Sequence, residues 1–192
     1  MIIDLILLIK TVGYLGLFII VFAESGLLIG FFLPGDSLLF TAGLLASSGF
    51  FNIFTLMLIF FIAAVTGDSV GYFLGEKYGP KIFNKKKSLF FNPEHVERSK
   101  RFFEKYGMKT IFLARFIPII RTFAPVLAGV GKMNYKKFLS INIIGGFSWS
   151  IVMPMLGYFL GKSVPNIDLY ILPIVIGIIV VSFIPAIKEL RA

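Results

Sequence analysis

Cysteine is absent from this 192-residue chain, and histidine occurs once, as His95. The first absence excludes disulfides, thiol nucleophiles and thiolate metal sites. The second excludes a cluster of histidine ligands. Neither a metal nor a cofactor is expected. Charge is also scarce. Only 15% of residues are charged, where an ordinary soluble domain has about 25%. Acids are the rarer sign, with 10 Asp and Glu against 19 Lys and Arg. The N-terminus, Met-Ile-Ile-Asp, has no basic stretch. No small-residue cleavage site stands out, so it reads as retained and not as a signal peptide.

Apolar residues fill the rest. The chain is 57% hydrophobic with 23 Phe, and its mean hydropathy is +0.91. This predicts an all-α polytopic membrane protein, one domain over residues 1–192. The net charge of +9 is strongly localised. It points to membrane topology and anionic-lipid contact, not to nucleic acid.

The hydrophobic run over residues 1–33 is interrupted by Asp4, Lys10 and Glu24. It is too long for one span of about 20 residues and too short for two. It predicts a first helix to about residue 20. A re-entrant hairpin then covers about 22–48, with its tip at the Pro34-Gly35-Asp36 turn. Residues 53–75 form the next span. There Ala63, Gly67, Gly71, Gly75 and Gly79 recur every four residues, a smooth stripe for close helix packing. Residues 76–109 form a polar loop holding ten of the nineteen Lys and Arg. Within it, Asn92-Pro93-Glu94 starts a helix and Gly107 stops it. Val96, Phe102, Phe103 and Tyr106 among Arg98, Lys100, Arg101 and Lys105 make it an amphipathic helix on the membrane surface. His95 is then a surface residue. Residues 138–161 form a further span, and residues 169–187 the last.

Between the loop and the 138–161 span lies Arg115-Phe-Ile-Pro118-Ile-Ile-Arg121, followed by Thr122. An arginine at bilayer depth costs roughly 2.5–3.5 kcal/mol on insertion scales. On one straight helix, six residues would set the two heads about 120° apart. Pro118 breaks that helix. A re-entrant segment over 110–131 brings both guanidinia to one point. The product is a cationic pocket shaped for an anion such as phosphate.

Charge supports this topology independently. The 76–109 loop and Lys132, Lys136 and Lys137 are both basic, hence both cytoplasmic. The segment between them must therefore enter and leave from one face. The connection near residues 46–52 has no Lys or Arg and lies outside. Both termini are expected in the cytoplasm.

The chain also repeats itself. Gly-Tyr-Phe-Leu-Gly stands at 71–75 and again at 157–161, and Ala42-Gly43 matches Ala128-Gly129 at the same offset. Phe32 and Pro34 match Phe116 and Pro118. The first repeat covers about 22–80 and the second about 108–165. With hairpins opening on opposite faces, this is an inverted repeat, whose midplane is the usual transporter site. The two tips are expected to oppose Glu24 and Asp36 to Arg115 and Arg121. Four such charges at the midplane are tolerable only as a network. An acid there can take and release a proton as its surroundings change.

At these residues the chain resembles the DedA family of bacterial inner-membrane proteins, the VTT or SNARE-associated-type domain. The resemblance covers nearly the whole chain. It rests on Glu24, Pro34-Gly35-Asp36, Gly67-Asp68 with Gly71-Tyr72 and Gly75, and Tyr106-Gly107. It rests also on Arg115 to Arg121 with Pro118, on Ala128-Gly129, and on Asn142 and Trp149. Asp36 departs from the Glu that many members carry after Pro-Gly, keeping the charge on a shorter arm. The resemblance implies two re-entrant hairpins and a role in moving lipid carriers. Some members are described as returning undecaprenyl phosphate to the cytoplasmic side for cell-wall synthesis. Others are linked to proton-dependent tolerance of alkali or drugs, and eukaryotic relatives scramble phospholipids. It also implies that the positions of Glu24, Asp36, Arg115 and Arg121 are the essential ones.

Each candidate has a structural alternative. Arg115 and Arg121 bind a phosphate, or they clamp the fold through the two acids. Glu24 and Asp36 carry a proton or gate the site, or they are counter-ions. Asp68 relays a proton or bonds a hairpin. Thr122, Asn142 and Trp149 support the site, Asn142 and Trp149 by packing and bonding a hairpin. Tyr72 and Tyr158 belong to packing faces. The function expected is a lipid-phosphate flippase, with undecaprenyl phosphate as its substrate and protons as a coupling partner. The rivals are a proton-coupled cation or drug antiporter, a general phospholipid scramblase, a scaffold and an enzyme. No nucleophile–base pair stands out for the last.

Overall fold

A computed structural model describes residues 2–27, 35–82 and 118–163. Arg115, the tip expected at Pro34, the surface helix expected around His95 and the span expected at 169–187 lie outside these residues. The described residues form five helices and no strand: α1 (Ile2–Gly26), α2 (Gly35–Ser47), α3 (Ile53–Ile82), α4 (Pro118–Val130) and α5 (Tyr135–Ser163).

Local chemistry sets the helix ends. The Asn52 side chain accepts from the Thr55 amide at 3.1 Å, capping α3. Asn134 accepts from the Lys136 and Lys137 amides at 3.0 and 3.3 Å and caps α5. Proline opens α4, where a missing N–H costs nothing. Asp36 lies in the first turn of α2, against the positive end of its dipole. After α2 the chain turns through Gly49 at φ +84°, a conformation that suits glycine. Gly13, at φ +57° and ψ −159°, kinks α1.

Length separates the helices into two kinds. Leu7–Gly26, Ile53–Gly79 and Tyr135–Ser163 are 20, 27 and 29 residues long and apolar enough to cross a membrane. The protein is therefore a multi-pass integral membrane protein. Helices α2 and α4 have 13 residues each. At 1.5 Å per residue they reach about 20 Å, short of a hydrocarbon core of about 30 Å. Large apolar side chains such as Phe54 and Phe159 stand exposed on the long helices, as lipid-facing residues do.

The described residues divide into two compact units. The first takes residues 2–21, 35–63 and 147–163. Here the second half of α5 packs on α2, backbone against backbone. A Cβ added at Gly157 would lie 2.0 Å from the Phe40 carbonyl oxygen, and one at Gly43 would lie 2.0 Å from that of Pro154. The second unit takes residues 22–27, 64–82 and 118–146. There the second half of α3 packs on α4 in the same manner. A Cβ at Gly75 would lie 2.1 Å from the Val126 oxygen, and one at Gly129 would lie 1.9 Å from that of Tyr72. Each copy of Gly-Tyr-Phe-Leu-Gly thus packs against one of the 13-residue helices. Glycine permits this because any side chain would hold the backbones apart.

Three boundaries differ from the sequence reading. Helix α1 runs to Gly26, past residue 20, so Glu24 sits on its last turn. Helix α3 continues beyond residue 75 to Ile82, because the small-residue face keeps packing on α4 through Gly79, whose added Cβ would meet Val130 at 2.5 Å. Helix α5 starts at Tyr135, three residues before the expected 138, where Asn134 caps it.

Candidate functional site: a buried polar layer

In the second unit, six polar residues lie buried in a chain otherwise dominated by apolar contacts: Glu24, Ser25, Asp68, Arg121, Thr122 and Asn142. Glycine contacts place them at one level. Gly26, next to Ser25, lies against Gly67, next to Asp68. Gly71 sits between Gly26 and Pro125, with added-Cβ distances of 3.1 Å to the Gly26 oxygen and 3.4 Å to the Pro125 Cβ. Arg121 and Thr122 are one turn before Pro125 on α4, as Gly67 and Asp68 are one turn before Gly71 on α3. Three helices therefore bring their polar residues to the same height.

The centre of the layer is an ion pair. Arg121 Nη2 donates to Glu24 Oε1, and both side chains are about 96–97% buried, with 4% and 3% of their surface exposed. The partners are 97 residues apart in sequence. The pair ties the end of α1 to the start of α4. A guanidinium is permanently charged and carries five donors in a planar fork. It can be held at depth only beside an acceptor of opposite charge. Asn142, on α5, donates from Nδ2 to the Val65 carbonyl oxygen of α3 at 3.1 Å.

An aromatic floor closes this unit one helical turn from the polar layer. Tyr72 packs on Phe138 with ring centroids 5.0 Å apart and on Tyr135 at 5.3 Å. Its hydroxyl donates to the Met133 carbonyl oxygen. Ala128 and Ile141 complete the cluster.

The first unit has its own buried polar contact. Trp149 Nε1, on α5, donates to Asp36 Oδ1, on α2, at 2.8 Å. Trp149 is fully buried and Asp36 is half-buried. The bond lies beside the Gly43 and Gly157 crossing and links the same two helices.

The sequence-expected residues are thus distributed as follows. Glu24 and Arg121 meet, with Asp68, Thr122 and Asn142 in their layer. Asp36 meets Trp149. Arg115 lies outside the described residues. Asn142, expected to bond a hairpin, bonds the α3 backbone, because it lies on the face of α5 turned to α3. Asp36, expected to face an arginine, has the Trp149 indole as a donor in the first unit. Tyr158 is only half-buried, beside Lys162 at 5.5 Å from its ring centroid, unlike its repeat counterpart Tyr72. Ser25 was missed. Its only signal in the sequence is its place beside Glu24 in an apolar run. Among the described residues, no group of three or more His, Asp or Glu could hold a metal ion.

The VTT domain family matches residues 33–159 of the chain. The chain belongs to the DedA family. It is 43% identical over 179 residues to Protein DedA of Escherichia coli (strain K12), covering 92% of this chain and 81% of that protein. It is 46% identical over 168 residues to an uncharacterized membrane protein of Mycobacterium leprae (strain TN), with 88% and 75% covered. It is 36% identical over 151 residues to Inner membrane protein YqjA of Escherichia coli (strain K12), with 78% and 68% covered. No solved structure matches it. Within this DedA-family chain, the match spans α2, α3, α4 and most of α5, hence most of the polar layer.

Proposed function

We propose that this DedA-family membrane protein is a translocase of a lipid phosphate, with undecaprenyl phosphate as the substrate and recycling for cell-envelope synthesis as the role. The observation that carries this reading is the buried Arg121–Glu24 pair. An arginine fork matches two phosphate oxygens through charge-assisted hydrogen bonds. Glu24 holds that fork while the site is empty. A proton on Glu24 removes its negative charge and frees Arg121 to take the headgroup, while the lipid tail stays in the bilayer. Loss of that proton restores the competitor and releases the phosphate. The cycle makes and breaks no covalent bond of the lipid, so in this reading the protein acts as a carrier and not as an enzyme.

Arg115 supplies the second arm of the phosphate site. Asp68, Thr122 and Asn142 line and brace it. Asp36 is the second gating acid, through its bond to Trp149, which ties α2 to α5. The short α2 and α4, each packed on a glycine-rich helix, support two re-entrant hairpins, about 22–48 and 110–131, in an inverted repeat. The charge pattern supports cytoplasmic termini and contact of the basic 76–109 loop with anionic lipids. The name of the YqjA relative supports the bacterial inner membrane as the location.

A proton-coupled cation or drug antiporter would use the same acids without needing a phosphate-shaped fork. Arg121→Lys separates the two readings, because lysine keeps the charge and loses the bidentate geometry. Lipid-phosphate transport in reconstituted vesicles should fall at least tenfold. An antiporter would keep its exchange. A general scramblase would move phosphatidylglycerol as fast as undecaprenyl phosphate.

A further inference from the structure

Hydroxyls on these helices usually fold back onto their own backbone. Thr11, Thr41, Ser69 and Ser140 each donate to the carbonyl four residues earlier, at 2.6 to 2.9 Å. Ser150 donates three residues back at 3.1 Å. This is the default for a helical Ser or Thr with no better partner. Ser25 departs from it. Its side chain is 2% exposed, and its Oγ makes no hydrogen bond at all. A buried hydroxyl left without a partner is costly, so native proteins rarely keep one without a use.

Its position indicates the use. Ser25 follows Glu24, the acid that holds Arg121. Its Cβ would be 3.1 Å from a Cβ at Gly67, which pins it at the level of Asp68, Arg121 and Thr122. The unspent donor therefore lies in the buried polar layer, on the helix turn that carries the ion pair.

We infer that Ser25 is a headgroup-selecting residue, donating its hydroxyl to a third oxygen of a tetrahedral phosphate held by Arg121. This rests on the lipid-phosphate reading above and adds a specificity to it. An arginine fork grips two oxygens, and a carboxylate has only two. A phosphate monoester offers three terminal oxygens. A neutral donor beside the fork therefore favours a phosphate-headed lipid over a fatty acid of the same tail.

The test measures binding of dodecyl phosphate and of dodecanoate to the purified full chain in phosphatidylcholine nanodiscs. The wild type should bind the phosphate more tightly. Ser25→Ala should lower the phosphate-to-carboxylate affinity ratio about tenfold, the scale of one hydrogen bond to a charged group, with dodecanoate affinity unchanged. Ser25→Cys preserves the size and offers only a weak donor, so it should lower the ratio as well, and it carries the test if the alanine variant misfolds. Arg121→Lys should weaken both ligands. An unchanged ratio in the Ser25 variants, or an equal loss for both ligands, overturns the role of Ser25 while leaving the lipid-phosphate reading intact. If Arg121→Lys changes neither affinity, or the wild type binds neither probe, the parent reading falls and this inference falls with it.

Discussion

Removing one half of the Glu24–Arg121 pair should cost far more than removing both. Both side chains are almost fully buried and joined directly. Deleting one partner of such a pair costs about 3–5 kcal/mol, because a charge stays behind without its counter-ion. The two single losses should differ. A carboxylate left behind can be neutralised by a proton, whereas a guanidinium cannot. Glu24→Met therefore belongs near the upper end of that range and Arg121→Met near the lower end. In the double variant neither charge of the pair remains, and two flexible apolar side chains fill the volume. Such replacements of a buried pair are often neutral or better. The double variant should be no less stable than the milder single. That gives a coupling energy of at least about 5 kcal/mol, the size of the harsher single loss and above the usual range of about 0.5–3 kcal/mol for residues in contact. The assay is reversible unfolding by SDS titration in mixed micelles, run on all four proteins. Additivity within about 0.5 kcal/mol would refute the reasoning, since it would mean the two charges do not depend on each other.

Other perturbations test other parts of the structure. Gly129→Ala places a methyl group 1.9 Å from the Tyr72 carbonyl oxygen, so α3 and α4 must separate, and thermal melting in detergent should report a loss of about 1–3 kcal/mol. Trp149 is the chain's only tryptophan, so its fluorescence reports on its bond to Asp36. Asp36→Leu should shift that emission, whereas Asp68→Leu, in the other unit, should leave it unchanged. Tyr72→Phe removes the hydroxyl that bonds the Met133 carbonyl but keeps the ring stack. It should cost about 1 kcal/mol in the same melting assay without altering headgroup affinity.

Much of this arrangement can be read from the residues alone, for definable reasons. The glycine stripe of α3 announces itself by its four-residue spacing, and Gly67, Gly71, Gly75 and Gly79 are all buried. Proline and glycine mark the starts of α4 and α2. The two arginines stand out because charge at depth is expensive, which requires an acid nearby. The sequence does not say which acid. Local spacing cannot connect residues 97 positions apart, and it took the packing of Gly26 on Gly67 to bring Glu24 to Arg121. Likewise the sequence favours a hairpin partner for Asn142, but which backbone carbonyl lies within reach is decided by helix rotation. Ser25 is the clearest limit. Serine is common, and only the missing hydrogen bond of its buried hydroxyl distinguishes it from Ser69 or Ser140.

The proposed role of Arg121, carrying a lipid phosphate across the bilayer, can be read from headgroup translocation in vesicles reconstituted with purified protein. Undecaprenyl phosphate is compared with phosphatidylglycerol, for the wild type and for Arg121→Ala, with and without a pH gradient. Undecaprenyl phosphate alone should move, faster with the gradient and not at all in the Arg121 variant. Equal movement of both lipids, or movement that survives Arg121→Ala in folded protein, would rule that role out.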